Sequence, residues 1–485
     1  MLYRRTQLRA SVTIVVLAVL GAVAAVTFLI APLNGNLRYE AGVKLVSTHS
    51  AAATFSHRPL GFRLVMDAVF SVADPRTLGV VAFELVVRVL LAAVAVGSGL
   101  LLWRGLRARA VPHAGWYGGV VVGSLILLGP ISAGEPDWMA VAFAAAGVGV
   151  ALLGRRRHWP YAILAGTLFV AAAAMKVVSL PTALLGLLAV ALIDRRQALR
   201  TVIAATAVGL IYLAATLIWV PWEIQWLLDI GAVQNDAGDA LPEATNYLTA
   251  LVQKRPVLLL VPVALVLAGW RERLVTVAAL AVCLAMILGQ GQYFDYHAIP
   301  LVVVAAIAVF RGLLSLVGRI HRVALPAGAL AGLICLALLY PGSTPWAAQL
   351  VRGAGPDNHR PPSTLESRDR KEAVAAEVHQ VIGGAEVPVT YLTFGEWTYF
   401  LGNPTSCRYP SPLFLQRTRK PARLTTDSYR ENVECLSDPA SRWLVRDPSW
   451  FRLKPQPQEI TAIIQREWDC DAVQQVGELL LCPRR

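Results

Sequence analysis

Charged residues are scarce in this chain of 485 residues: Asp, Glu, Lys and Arg make up 15% of it, whereas hydrophobic residues make up 56%. Together with a mean hydropathy of +0.55, this scarcity excludes an ordinary soluble domain and predicts an α-helical, polytopic membrane protein. Acidic residues are the rarer sign, which leaves a net charge of +13. The excess arginines lie in short clusters beside apolar runs, so they indicate orientation in a bilayer rather than binding to nucleic acid.

Motifs for nucleotide and zinc chemistry are also absent. The chain contains no Walker A motif, no glycine-rich dinucleotide fingerprint, no H-E-x-x-H pair and no nucleophile elbow in a suitable context. No cofactor is therefore indicated, although acidic loops permit a divalent metal without requiring one.

Cysteine is limited to six residues, and four of them lie in the polar C-terminal region: Cys407, Cys435, Cys470 and Cys482. Four cysteines in one region favour two disulfides if that region lies outside the cell, as the topology below predicts. Sequence order favours Cys407–Cys435 with Cys470–Cys482 among three possible pairings. A zinc site is the competing interpretation, which the lack of a C-x-x-C pair weakens.

Apolar runs long enough for spanning or buried helices predict about eleven transmembrane spans. They fall near 11–30, 77–103, 114–131, 137–154, 160–175, 178–193, 200–221, 256–270, 274–289, 298–310 and 323–340. A cytoplasmic N-terminus then puts an arginine cluster at each of the five inner connections, in agreement with the positive-inside rule. The sequence thus predicts a transmembrane domain over 1–340 in the plasma membrane, the inner membrane of a bacterium.

The composition changes after residue 340, where charged and proline-rich segments replace apolar runs. Strand-like runs such as VPVTYLTF and GELLLCP lie beside a helical pattern over 367–384. An odd number of spans places this region outside the cell. We therefore predict a small extracytoplasmic α/β domain over 341–485.

The first outer loop, from residue 31 to 76, carries arginines on the side that the positive-inside rule disfavours. Arg38 and Arg58 are candidates for binding an anionic group at the membrane surface, such as a lipid-linked phosphate, because guanidinium forms paired hydrogen bonds with phosphate oxygens. Contact with lipid headgroups is the alternative interpretation.

Three carboxylates lie near the predicted outer face: Glu40 after the first span, and Glu135 and Asp137 in the tight turn GEPD. Carboxylates at a membrane interface are costly unless they are paired or used, and Glu40 or Asp137 is a candidate general base for an acceptor hydroxyl. Capping of the following helix is the alternative for Glu135 and Asp137.

Two further polar features interrupt apolar segments. Lys176 stands alone in AAAAMKVVSLP and either snorkels to the interface or contacts phosphate. The segment GQGQYFDYHAIPL presents Asp295, Tyr296 and His297, where Asp295 and His297 either orient a substrate or hydrogen-bond to each other.

The fourth outer loop combines aromatic and acidic side chains, including Trp222, Glu223 and Trp226. Stacking aromatics and carboxylates suit a sugar acceptor. An interfacial amphipathic helix is the alternative interpretation of the same segment.

These motifs resemble those of the GT-C glycosyltransferases, polytopic enzymes that take sugars from polyprenyl-phosphate donors at the outer face. The segment 56–61, with His57, looks like their H-P-P-L-like segment, 134–137 like their second acidic motif, and 296–300 like their aromatic-His-Pro stretch. Lys176 resembles the lysine of their fifth span. The C-terminal region is similar to that of envelope arabinosyl- and mannosyltransferases.

The resemblance implies inverting transfer of a sugar from a polyprenyl-phosphate donor to a glycan or glycolipid acceptor, within a lipid bilayer. The family usually has an aspartate before a tyrosine in the first loop, whereas Asn34 and Asn36 precede Tyr39 here. Either Glu40 takes this role, or Glu135 and Asp137 supply the base, or the chain binds lipid-linked sugar without transfer. A transporter or flippase of envelope precursors is the alternative from another class.

Overall fold

The computed structural model describes residues 21–47, 58–154, 158–225, 227–228, 240–290, 293–320, 332, 365–393, 396–408, 410, 427–449, 451 and 458–485. The chain divides into two compact units. The first contains Met1–Leu33, Pro75–Leu210 and Asp239–Thr364, and the second contains Asn34–Asp74, Ile211–Gly238 and Leu365–Arg485. Two polar loops predicted to lie outside thus belong to the same unit as the C-terminal region. The linear division at residue 340 lies outside the described residues and stays a prediction.

The described part of the chain is mostly helical. In chain order its helices are α1 (Gly21–Ile30), α2 (Gly35–Val46), α3 (Leu60–Phe70), α4 (Pro75–Leu78), α5 (Val80–Ala108), α6 (Ala114–Ser132), α7 (Pro136–Leu153), α8 (His158–Ala174), α9 (Leu180–Ile193), α10 (Arg195–Trp219), α11 (Ala240–Lys254), α12 (Val261–Leu267), α13 (Trp270–Leu288), α14 (Ile299–Ile320), α15 (Leu365–Ile382), α16 (Trp397–Leu401), α17 (Asp427–Cys435) and α18 (Gln458–Glu467). Short 3₁₀ helices precede α9, α12 and α14 at Val177–Ser179, Pro256–Leu260 and Asp295–Ala298.

Among the described residues, four helices are long and apolar enough to cross a membrane: Val80–Ala108, Pro136–Leu153, Arg195–Trp219 and Asp295–Leu316. The pair Ala244–Lys254 and Pro256–Leu267 is bent by 88° and adds a fifth if it forms one broken span. Helical structure covers each predicted span that falls within the described residues. Apart from Gly332, the span predicted at 323–340 lies outside them, and the total of about eleven spans stays a prediction.

Helix α7 lies in the core of the first unit, because 83% of its 18 residues are buried. Its small side chains allow close packing: a Cβ atom on Gly105 of α5 would lie 2.8 Å from the Cα atom of Gly149 in α7. The indole N–H of Trp138 donates to the carbonyl of Leu125 in α6 at 3.0 Å. The Trp138 hydrogen bond fixes the first turn of α7, which carries Asp137, while the approach at Gly149 fixes the other end of the helix.

A fully buried arginine holds the helix ends next to this turn. Arg88 of α5 donates to the carbonyls of Ala31 at 3.1 Å, Gly129 at 2.9 Å and Pro32, and its guanidinium lies over the ring of Phe28. A buried guanidinium is tolerated where acceptors satisfy its N–H groups. Arg88 therefore links the end of α1 to the part of α6 that leads into the GEPD turn.

The C-terminal region of the second unit contains a four-stranded sheet in the order β1 (Val389–Leu392), β2 (Trp443–Arg446), β4 (Leu479–Pro483) and β3 (Gln474–Val476). Strands β1 and β2 are parallel, whereas β4 is antiparallel to both β2 and β3. The predicted strand-like runs supply β1 and β4, and the predicted helical pattern supplies α15. One face packs on a core that includes Leu444, Phe451 and Trp468.

Both disulfides pair as sequence order favours. Cys407 is bonded to Cys435, and Cys470 to Cys482, with Cα atoms 5.6 Å and 4.7 Å apart. Cys283 is a buried free thiol in α13. The first disulfide joins the segment after α16 to the end of α17, and the second joins β4 to the loop before β3.

Candidate functional site

Four chain segments of the first unit bring polar side chains together around Lys176. Asp137 lies in the first turn of α7, Lys176 at the break after α8, Gln290 just after α13, and His297 in the 3₁₀ turn before α14. The break exists because Lys176 is extended, with φ −162° and ψ 146°, which ends one helix before the next begins. Three of these residues are the predicted ones, and Gln290 is new.

The ammonium group of Lys176 is the centre of this cluster. Its Nζ atom donates to Gln290 Oε1, lies 2.9 Å from His297 Nε2 and 3.9 Å from Asp137 Oδ2. Because ammonium only donates, the contact with His297 places the imidazole proton on Nδ1. The Asp137 side chain is fully buried, whereas the Lys176 side chain is 21% exposed. Lys176 is thus the accessible charge of a cluster whose carboxylate is buried.

Aromatic rings form one wall of the Lys176 cluster. Tyr296 lies under the ammonium group, 5.5 Å from ring centroid to Nζ, and meets the His297 ring edge-on at 4.4 Å. Phe294 stacks on Tyr296 at 5.5 Å. A cation held over an aromatic face in apolar surroundings interacts strongly with an incoming anion, because little water screens it.

Asp295 lies two residues before His297 and has cationic neighbours of its own. Its Oδ1 atom is 3.9 Å from Lys254 Nζ, and it interacts electrostatically with the buried Arg255. The hydroxyl of Tyr247 donates to the carbonyl of Phe294 at 3.1 Å. Lys254 and Arg255 stand at the bend between α11 and α12, where the sequence QKRP marks a helix end by placing basic residues before a proline.

Capping of α7 was the alternative role predicted for Glu135 and Asp137, and the two carboxylates differ in how they interact with this helix. Glu135 occupies the N-cap position of α7, but its side chain makes no capping hydrogen bond. Pro136 occupies N1 and Asp137 lies in the first turn, where the helix dipole favours a negative charge. The dipole and Lys176 therefore both stabilise the buried carboxylate of Asp137.

A second polar cluster belongs to the second unit and contains the first-loop residues. Glu40 of α2 is buried, and its Oε1 atom is 3.8 Å from Nε of the buried Arg58. The Arg58 guanidinium lies 5.7 Å from the ring centroid of Phe62. Asn34, which stands where the resemblance expects an acid, caps α2 by accepting a hydrogen bond from the Leu37 N–H at 2.9 Å.

Glu223 of the fourth loop holds the start of α3. One carboxylate oxygen accepts from the Leu60 N–H at 2.7 Å, and the other pairs with Arg63 Nη2 at 2.5 Å. Burial raises the pKa of Glu223, and the charge of Arg63 opposes that rise. Trp222 lies between two guanidinium groups, with its ring 5.1 Å from Arg63 and 4.6 Å from Arg408. Two of the predicted acceptor residues, Trp222 and Glu223, thus contact protein cations.

Arg38, predicted to bind substrate, is fully buried and forms an ion pair with a carboxylate 358 residues later in the chain, whose side chain is 13% exposed. Its Nη1 atom donates to Glu396 Oε2 at 2.6 Å, and Lys371 donates to the other oxygen of the same carboxylate. Burial alone raises the pKa of Glu396, but the Arg38 and Lys371 charges outweigh it and lower the pKa to about 2. This pairing gives Arg38 a structural partner that the sequence did not reveal.

Two predicted residues, His57 and Trp226, lie outside the described residues. Within the described ranges, no group of three or more His, Cys, Asp or Glu side chains is arranged to hold a metal ion. Sequence reasoning did not assign to a site four residues that lie in or next to these clusters: Gln290, Lys254, Arg255 and Arg408.

Comparison with known proteins gave two similar solved structures. No protein-family model and no curated protein sequence matches the chain. The crystal structure of ArnT from Cupriavidus metallidurans in the apo state is 12% identical, with 98% of each chain covered and a TM-score of 0.46. ArnT from the same organism bound to undecaprenyl phosphate is also 12% identical, with 97% of each chain covered and a TM-score of 0.44.

Proposed function

We propose that this chain is a membrane glycosyltransferase that moves a sugar from a polyprenyl-phosphate donor to a hydroxyl of a glycan or glycolipid acceptor at the outer face of the plasma membrane. The observation that carries the proposal is the cluster of Asp137, Lys176, Gln290 and His297 at helix ends in an apolar helical unit. In such a cluster the partly exposed ammonium group of Lys176 can bind a phosphate, and the buried carboxylate of Asp137 can accept a proton from a hydroxyl.

The proposed reaction is a single displacement at the anomeric carbon. The acceptor oxygen forms a bond to this carbon while the bond to the phosphate oxygen breaks, and the configuration inverts. The acceptor proton passes to a carboxylate, for which Asp137 and Glu40 are the candidates. The polyprenyl phosphate leaves with the electron pair, and the candidate for stabilising its added negative charge is Lys176 where Asp137 is the base, or Arg58 where Glu40 is the base.

The remaining predicted residues have supporting roles in this scheme. Tyr296 and His297 orient the Lys176 ammonium group, Asp295 holds the adjoining turn through Lys254, and Glu135 begins the helix that carries Asp137. Trp222 and Glu223 of the fourth loop hold Arg408 and the start of α3.

Transfer by the reconstituted protein tests this function. Vesicles holding the wild-type chain receive a polyprenyl-phosphate sugar labelled in the sugar, together with an extract of envelope glycans and glycolipids. We expect label in the acceptor fraction, and a loss of about 100-fold or more in kcat when the catalytic carboxylate is replaced in Asp137→Asn or Glu40→Gln. Glu272→Gln removes an exposed carboxylate of α13 paired with Arg311 and serves as the control. Unchanged transfer in both Asp137→Asn and Glu40→Gln would refute the assignment of the base.

A transporter of lipid-linked precursors is the second candidate, and the 88° bend between α11 and α12 favours it. Broken helices with polar groups at the break are typical of transporter binding sites. The same vesicles separate the two functions, since a transporter moves the labelled lipid across the bilayer without forming a new glycosidic bond.

A further inference from the structure

The segment 396–408 contacts helix α2 along its whole length. At its start, Glu396 forms the ion pair with Arg38 in the first turns of α2, and Phe400 lies under the Arg38 guanidinium, 5.0 Å from the ring centroid. At its end, the Thr405 N–H donates to the carbonyl of Val46 at 3.0 Å, and Thr405 forms a β-bridge with Ser47. Both ends of α2 are therefore held by one short piece of the C-terminal region.

The middle of α2 packs against α16 without space for a side chain. A Cβ atom on Gly42 would lie 2.5 Å from the backbone nitrogen of Tyr399, a separation that real Cβ atoms do not show. Gly35 at the start of α2 has open space around its Cα atom, and a Cβ atom added there would meet no heavy atom within 4 Å. The close approach is thus a property of the position of Gly42 and not of the helix as a whole.

The same segment reaches the fourth loop through its last residue. Arg408 follows Cys407, which is tied to Cys435, and its guanidinium lies over Trp222 while donating to Glu431 at 3.1 Å. Next to Trp222, Glu223 holds the start of α3 through Leu60. The segment 396–408 therefore contacts α2, which carries Glu40, directly, and it reaches the start of α3, next to Arg58, through Trp222 and Glu223 of the fourth loop.

We infer that the segment 396–408 positions Glu40 and Arg58 for the transfer reaction, with Glu396 and Gly42 as positioning residues that act through α2. Glu40 lies two residues after Arg38 and two before Gly42 in the same helix, so a shift of α2 against α16 moves its carboxylate. A displacement of about 1 Å in a reacting group lowers rates by about 100-fold. The effect on the transfer rate rests on the proposed function, whereas the contact of the segment 396–408 with α2 does not.

Two matched pairs of variants test the inference in the full-length protein. Gly42→Ala is compared with Gly35→Ala, and Glu396→Gln with Glu467→Gln, which breaks a half-buried pair with Arg484 in the C-terminal region. Amide hydrogen exchange over residues 35–46 is measured for each variant. We expect faster exchange in Gly42→Ala and Glu396→Gln, and wild-type exchange over this helix in the two controls.

Transfer assays of the same variants give the catalytic readout. We expect kcat to fall about 10-fold to 100-fold in Gly42→Ala and Glu396→Gln while KM for the donor changes less than about threefold, and Glu396→Asp to recover part of kcat. Equal kcat in each variant and its control would overturn the inference. If the wild-type chain transfers no sugar, the proposed function fails, whereas wild-type exchange in both test variants overturns the positioning role independently of activity.

Discussion

Replacing Lys176 by methionine is the perturbation with the most specific expected result. The side chain keeps its approximate length and apolar stem, while the ammonium group that contacts Gln290, His297 and Asp137 is removed. A hydrogen bond to a charged group contributes about 1.5–3 kcal/mol, which corresponds to roughly 10-fold to 150-fold in affinity. We therefore expect the Kd for a polyprenyl phosphate to rise by about 10-fold to 100-fold.

The same substitution removes the cation nearest to a buried carboxylate. At 3.9 Å, the attraction between Lys176 and Asp137 is about 4 kcal/mol with an effective dielectric constant of about 20. Lys176→Met alone is therefore expected to lower the melting temperature, because Asp137 stays buried without this charge. The double variant Lys176→Met with Asp137→Asn removes both charges and is expected to recover stability.

Binding of a spin-labelled or fluorescent polyprenyl phosphate in detergent or nanodiscs measures the effect. The double variant separates binding from folding, since it is expected to be stable and still to bind weakly. Lys176→Arg keeps the charge and is expected to retain part of the affinity. Wild-type affinity in a folded Lys176→Met protein would refute the assignment of this lysine to the phosphate.

Three further predictions concern stability and covalent structure. The pKa of Glu396 is lowered to about 2 from its ordinary value of 4.5. The ionised carboxylate therefore adds on the order of 3 kcal/mol to the free energy of unfolding above pH 4.5, and this stabilisation is lost as the pH falls towards 2. The difference in melting temperature between wild type and Glu396→Gln should therefore narrow on acidification, and a constant difference contradicts this account. Glu223→Gln breaks a buried ion pair and should cost about 3 kcal/mol, whereas Glu272→Gln breaks an exposed one and should cost less than about 1 kcal/mol, as measured by thermal unfolding. Thiol titration of the denatured protein should find two free thiols of the six cysteines before reduction and six after it, and a higher number before reduction contradicts the two disulfides.

The cluster around Lys176 was accessible to sequence reasoning because each of its charged members interrupts an apolar pattern. Asp137 follows a proline in a tight turn, Lys176 stands alone between apolar runs, and His297 begins a helix, so each one is costly in lipid unless it has a partner. Gln290 was missed because an uncharged amide at a helix end carries no such cost. The contacts between these residues depend on how α7, α8, α13 and α14 pack, which periodicity does not encode.

The first-loop arginines show the opposite case. Arg38 looked anomalous on the outer side because its partner, Glu396, follows 358 residues later. Arg63 and Trp222 likewise find Glu223 and Arg408 in segments that are remote in sequence. Composition reveals an excess of charge in a loop, but long-range ion pairs decide whether that charge faces a ligand or the protein. The disulfide pairing is the one that sequence order favoured among three possible connectivities, but the contacts that bring each pair of cysteines together are set by the fold and not by their spacing.

The proposed role of the Lys176 ammonium group is to bind the phosphate of a polyprenyl donor. An electron-density or cryo-EM map of the wild-type protein with a bound polyprenyl phosphate tests it most directly. We predict phosphate density within about 3 Å of Lys176 Nζ, with Asp137 on the side of the anomeric carbon. Phosphate density elsewhere, with Lys176 still in contact only with Gln290 and His297, would contradict the account.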